Sequence, residues 1–232
     1  IKEREHDEPI TQDHKDIAAA LQDCLDRVLL HLCSYYGKKL DTSNLVMAGG
    51  VALNCTTNGK ILSSGKFNNI FIQPASGDDG TALGAAWLYC EQFSTIPRKS
   101  FDVPFLGPEY TNNQIHESLD VFKQDVEILD LINIESVIKS ASNDIVKGKV
   151  IAWYQGRMEF GPRALGNRSI LGDPSRTEMR DRINQMVKKR ESFRPFAPAI
   201  IEEEASKYFS IPNGISLPFM IFIVSVKDEF LK

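Results

Sequence analysis

Between Thr11 and Tyr36, Leu21, Leu25, Val28, Leu29 and Leu32 recur at helical spacing, with Gly37 where a C-terminal cap belongs. The pattern predicts one long helix. LVMA at 45–48 reads as a short buried strand, Gly49 and Gly50 turn the chain, and residues 51–63 continue as a helix. NIFIQ at 69–73 is a second strand, stopped by Pro74, and after SGDDG a third helix runs from Thr81 to Phe93. Strands and helices alternating in this way predict an α/β layer.

The stretch STIPRKSFDVPFLGPEY breaks the pattern with three prolines and no period, which sets a linker at 96–108 between domains at 1–95 and 109–232. Beyond it, helices are expected at 112–122 and 134–147 around a strand, VEILDL. KVIAWY at 149–154 is a further strand. A helix is expected over 176–191, then APAII, a short helix at 202–209, and a strand FMIFIVSV.

Composition adds bounds. Hydrophobic content of 42% and charged content of 25% suit an ordinary globular protein. No apolar run reaches the roughly 20 residues of a membrane helix, and IKEREHDEPI is too polar for a signal peptide, so no membrane is expected and the location is read as cytoplasmic. Cys24, Cys33, Cys55 and Cys90 lack CxxC pairing and read as reduced thiols. With no initiator Met and an ending just after an apolar strand, the sequence reads as a piece of a longer chain. The formal charge is −4, yet residues 157–194 hold ten Lys and Arg against five Asp and Glu. A basic segment in an acidic chain points to a local anion site or a solvated helix face rather than to a nucleic-acid surface.

Three motifs carry candidate chemistry. GGVALN at 49–54 follows a strand and opens a helix, where glycine amides and a helix N-terminus suit a phosphate; a tight turn needing glycine explains it equally. Its spacing fits neither the dinucleotide nor the P-loop motif. SGDDG at 76–80 repeats the arrangement, with adjacent carboxylates that either cap a helix or meet a cation and a hydroxyl. Two such turns on neighbouring strands would share one cleft. In RMEFGPRALGNRS, Arg157, Arg163 and Arg168 lie in a glycine-rich loop with Ser169 behind them, and Lys188, Arg190 and Arg194 follow the next helix; guanidiniums fork onto phosphate oxygens in pairs. His6, His14, His31 and His116 show no metal-ligand spacing.

GGVALN, QPASGDDGTALGAAW, AWYQGRMEFGPRALGNRSILGDP and VKKRESFRPFAPA, in this order, resemble the nodulation-protein and antibiotic O-carbamoyltransferase family over about residues 40–210. The resemblance implies part of an actin-like domain, of the Hsp70 and actin superfamily, followed by most of a YrdC-like twisted-sheet domain. It implies that carbamoyl phosphate and ATP give carbamoyl adenylate and pyrophosphate. The carbamoyl group then moves to a hydroxyl of a sugar-containing acceptor, with iron or a similar divalent cation bound and Mg accompanying ATP. By motif, Gly49, Gly50 and Asn54 would bind nucleotide, Gly77, Asp79 and Gly80 would shape the adenosine side, and Asp78 would ligate the metal. Arg163, Arg168, Ser169, Lys188, Arg190 and Arg194 would clamp carbamoyl phosphate and ATP. The family's metal histidines have no counterpart in residues 1–40, so this piece alone is expected to be inactive. A tRNA threonylcarbamoyl-type enzyme and a non-catalytic nucleotide-binding or scaffold protein are the alternatives, and oligomer formation is left open.

Overall fold

The computed structural model describes residues 3–5, 8–93, 103–129 and 133–231 and is a mixed α/β structure. It divides into two units, Ile1–Thr95 with Glu202–Lys232, and Ile96–Ile201. Of the expected linker, residues 96–102 lie outside the described residues, as does His6.

In the first unit, helix α1 spans Gln12–Lys39, with Thr11 and His14 closing a capping box. It runs past Gly37 and ends at Leu40, so the glycine is an interior residue beside the Phe67 ring, not the cap. The apolar stripe marks the packed face only in part, Leu25 and Leu29 being half-buried. Leu21, Val28 and Leu32 are exposed, and the buried residue of α1 is Asp26. Strand β1 (Asn44–Met47) pairs in parallel with β2 (Asn69–Ile72), Met47 opposite Ile72. The expected helix over 51–63 is broken: a 3-10 turn covers Gly50–Leu53, and α2 begins only at Cys55 and ends at Ser63. Asn54 breaks it, because its side-chain oxygen accepts the Thr57 N–H and so caps α2. Helix α3 spans Gly80–Phe93.

The core of this unit joins Ala52, Ile72 and Ile221, with Met47, Ile70, Phe219 and Phe222 around them. The segment read as strand FMIFIVSV is not a regular strand. Its backbone is held by α2 instead: Asn58 Nδ2 donates to the Ile221 and Ala52 carbonyls, and the Ile223 N–H donates to the Cys55 carbonyl. An isolated antiparallel bridge, Phe209 with Val226, is the remnant of extended pairing there.

In the second unit, α4 (Asn112–Asp120) and α5 (Ile134–Val146) fall where the pattern puts them, capped by Thr111 and Asn133. Val126–Leu129 of the expected strand VEILDL takes no regular form, and its last two residues lie outside the described ones. Strand β3 (Ile151–Tyr154) pairs antiparallel with a strand the glycine-rich pattern hid, β4 (Arg168–Leu171). The helix expected over 176–191 is shorter. It runs as α6, Met179–Ile183, then a π-helical turn, Asn184–Lys188, and the chain reverses at Lys189 with φ +45°. The cause is Asn184, fully buried: its Nδ2 donates to the Ser192 and Arg194 carbonyls and its Oδ1 accepts from Arg190 Nε at 2.7 Å. A last short helix, α7, spans Glu202–Tyr208 and belongs to the first unit.

Among the described residues no helix is long and apolar enough to cross a membrane.

Candidate functional site

A parallel pair of strands brings its carboxyl ends out side by side, and GGVALN and SGDDG leave from those ends. They touch: the Gly49 N–H donates to the Ser76 carbonyl at 2.7 Å. Gly49 holds φ +95°, a region side chains avoid, and a Cβ built on Gly49 or Gly50 would meet nothing within 4 Å among the described residues. The backbone over this turn is therefore open to an approaching group. Asn54 stands at its far end as the α2 cap, its Nδ2 donating to Gln22 Oε1 at 2.9 Å.

The second turn is drawn tight. The Gly80 N–H reaches the Gly77 carbonyl, and Thr81 binds the Asp78 carbonyl through both N–H and hydroxyl. Gly80 is there because nothing larger fits: a Cβ would lie 1.9 Å from the Ala75 carbonyl oxygen. Gly77 is half-buried, Ser76 before it is buried, and Asp78 and Asp79 after it are exposed. No group of three or more His, Cys, Asp or Glu able to hold a metal occurs among the described residues. Asp78 by itself offers one carboxylate, and a cation there would need ligands from beyond this set.

In the second unit, the 157–169 segment is organised by its only acid. Glu159 Oε1 accepts the N–H groups of Leu165, Asn167 and Arg168 at 2.9–3.1 Å. Burial pushes the Glu159 carboxyl up, but these backbone N–H groups outweigh it and hold the carboxyl below its ordinary value. Asn167, buried, donates to the Arg157 carbonyl and accepts from Gln155. The segment is also laid against residues once read as linker: Gly107 N–H to the Met158 carbonyl, Met158 N–H to Pro108, and Phe160 N–H to Pro104.

The six candidate side chains have different settings. Arg168 opens β4, donates to the carbonyls of Gln155, Gly156 and Asn167, and stacks on Tyr154 at 3.4 Å. Ser169 Oγ accepts the Gly166 N–H. Arg163 has a buried Nε without a hydrogen-bond partner among the described residues. Arg190 joins Asn184 and lies over Phe196. Arg194 pairs with Glu191, and Lys188 is exposed at the end of the π-helical turn. Arg163, Arg168 and Ser169 thus share the Glu159 loop, while Arg190 and Arg194 share the Asn184 turn.

Glu159 and Asn184, the hubs of these two groups, are not legible as site residues from their type. A lone acid in an arginine-rich run was a usable signal for Glu159. For Asn184 the signal was an asparagine mid-helix, where its amide competes with the backbone.

Arg168→Lys is expected to loosen the β3–β4 pair, because an ammonium cannot bridge three carbonyls and stack on Tyr154 at once. A loss of about 1–2 kcal/mol in urea unfolding of the chain checks this. An unchanged midpoint would mean the fork carries no weight.

Two family models match the chain. Residues 2–87 match the carbamoyltransferase N-terminus and residues 142–232 the carbamoyltransferase C-terminus. The chain belongs to the carbamoyltransferase family, a family of transferases. It is 46% identical over 231 residues to nodulation protein NolO of Bradyrhizobium diazoefficiens, covering 98% of this chain and 42% of that protein. To nodulation protein NolNO of Sinorhizobium fredii it is 43% identical over 232 residues, 99% of this chain and 34% of that one. To the 3'-hydroxymethylcephem-O-carbamoyltransferase of Streptomyces clavuligerus it is 34% identical over 185 residues, 80% of this chain and 33% of that one. The chain thus spans less than half the length of these relatives.

Proposed function

We propose that this chain is part of an ATP-dependent O-carbamoyltransferase in which water releases inorganic phosphate from carbamoyl phosphate, the carbamate so formed attacks the α-phosphate of ATP to give carbamoyl adenylate and pyrophosphate, and the carbamoyl group then moves to an acceptor hydroxyl on a sugar-containing molecule with AMP leaving. The observation that carries the reading is the pair of glycine turns at adjoining strand ends, joined by the Gly49–Ser76 hydrogen bond, with open space above Gly49 and Gly50. Strand ends of this kind are where α/β layers receive phosphates. The name of the cephem relative supplies the acceptor chemistry by analogy: a hydroxymethyl oxygen carbamoylated.

In this reading the first unit is actin-like and the second YrdC-like. Gly49, Gly50 and Asn54 contact the nucleotide phosphates, and Gly77, Asp79 and Gly80 shape the nucleoside side. Asp78 contributes one ligand to a divalent cation, whose chemistry is to draw charge from phosphate or carbamoyl oxygens. Arg163, Arg168, Ser169, Lys188, Arg190 and Arg194 neutralise the phosphates of carbamoyl phosphate and ATP as charge moves during transfer. Arg163 is singled out among these because its buried Nε has no partner among the described residues. The reaction belongs in the cytoplasm, where ATP is available.

The intact gene product is expected to release pyrophosphate when given ATP and carbamoyl phosphate together, and Arg163→Ala to reduce that release at least about a hundredfold with an unchanged melting curve. Pyrophosphate-coupled absorbance and calorimetry read both. No release from the wild type would remove the reading, and full release from the variant would move the clamp elsewhere.

A further inference from the structure

Helix α1 sends two polar side chains, Gln22 and Asp26, toward the cap of α2. Asp26 is 2% exposed. Its Oδ1 accepts from the Thr57 hydroxyl at 2.5 Å and from Gln22 Nε2 at 2.9 Å, and its Oδ2 accepts from Lys60 at 2.6 Å. Gln22 Nε2 also reaches the Thr57 hydroxyl at 3.0 Å, and Gln22 Oε1 accepts from Asn54 Nδ2 at 2.9 Å. Nothing in the carbamoyl-transfer reading uses Gln22, Asp26 or Lys60.

The chemistry of this chain of bonds has a direction. An ionised carboxylate only accepts, so the Gln22 group facing Asp26 must be its NH₂, and its oxygen must then face Asn54. That oxygen demands an N–H, so Asn54 must turn its NH₂ toward Gln22. From the other side, the Thr57 backbone N–H demands an oxygen, and finds Asn54 Oδ1 at 3.0 Å. Both ends therefore impose the same orientation on one carboxamide. Of the two Asn54 amide protons, one is spent on Gln22 and the second has no acceptor among the described residues.

We propose that Gln22 and Asp26 are positioning residues for the GGVALN turn, locking the Asn54 carboxamide with one N–H presented to a nucleotide phosphate. This rests on the phosphate-binding reading of that turn. A part-buried polar network hydrogen-bonded around buried Asp26 suits the role, because it specifies one arrangement where an apolar contact would allow several.

Two isosteric changes test it. Asp26→Asn lets the Gln22 amide turn over, and Gln22→Glu removes the donor facing Asp26. Both are made in the intact chain and followed by NMR hydrogen exchange of the Asn54 side-chain amide, by calorimetric melting, and by titration with a non-hydrolysable ATP analogue. Asn54 amide exchange is expected to quicken about tenfold in each variant, and the analogue's Kd to rise by a similar factor. Backbone exchange in β1 and β2 is expected to stay as in the wild type, which a general loosening would not allow. Exchange at Asn54 that is unchanged in both variants overturns the lock. If exchange quickens while analogue binding is indifferent even to Asn54→Ala, the lock stands and the phosphate reading of the turn falls.

Discussion

Gly59→Ala is expected to destabilise the first unit by about 3 kcal/mol, because the added methyl group has no room. Gly59 lies in the middle of α2 and is buried. A Cβ there would sit 2.1 Å from the Ile223 carbonyl oxygen and within 3.2 Å of that residue's carbon and nitrogen. All three are backbone atoms, so no side-chain rotation relieves the clash. The 219–223 segment would have to leave α2, giving up the Asn58–Ile221 bond and the Ile223–Cys55 bond. Its departure uncovers Ile221, one of three buried residues at the centre of the core cluster. Thermal melting followed by circular dichroism reads the loss, and Gly84→Ala is the control. That glycine is also helical, in α3, but a Cβ there meets nothing within 4 Å. It should be neutral or stabilise by up to about 1 kcal/mol. Equal effects from the two variants would mean that close approach, rather than helix propensity, has been wrongly credited at Gly59.

Glu159→Ala comes next, with an expected cost of about 2–3 kcal/mol in the second unit. One carboxylate oxygen gathers three backbone N–H groups from a loop rich in glycine, which has little else to define its path. Removing it leaves those donors to water and frees the residues between Phe160 and Gly166. Glu159→Gln keeps one amide oxygen for the same donors and should cost about half as much. The pH dependence has a definite sign. The Glu159 carboxyl is held below its ordinary value in the folded chain, so its contribution is fully present above the ordinary glutamate range near pH 4.5 and is lost as pH falls through the lower folded value. Asp26 acts in the same direction: burial pushes its carboxyl up, and hydrogen bonds from Lys60, Thr57 and Gln22 bring it below its ordinary value. Acid unfolding of Glu159→Ala should therefore be flatter between about pH 5 and pH 3 than that of the wild type. A parallel curve would place the acid sensitivity elsewhere. If pyrophosphate release survives in Glu159→Ala at neutral pH, the loop's path does not matter to the anion clamp proposed for Arg163.

Local rules reached much of this architecture because they depend on residues a few positions apart. Alternating strands and helices in the first ninety residues, the glycine turns after β1 and β2, and the helices α4 and α5 were legible from spacing and breakers. The motifs were legible too, and with them the family. Tertiary structure decided what depends on distant partners. Whether 219–226 becomes a strand turned on Asn58 and Gly59, more than 150 residues earlier, which bind its backbone before another strand can. The helix after Arg176 stopped at a π-helical turn because buried Asn184 took the Ser192 and Arg194 carbonyls. The face of α1 that packs was set by Asp26 meeting Thr57 and Lys60, with Leu25 and Leu29 beside it and Leu21, Val28 and Leu32 left exposed. Periodicity measures how a segment would shed water by itself; a buried carboxylate or amide is satisfied only by specific atoms, and those arrive from elsewhere in the chain.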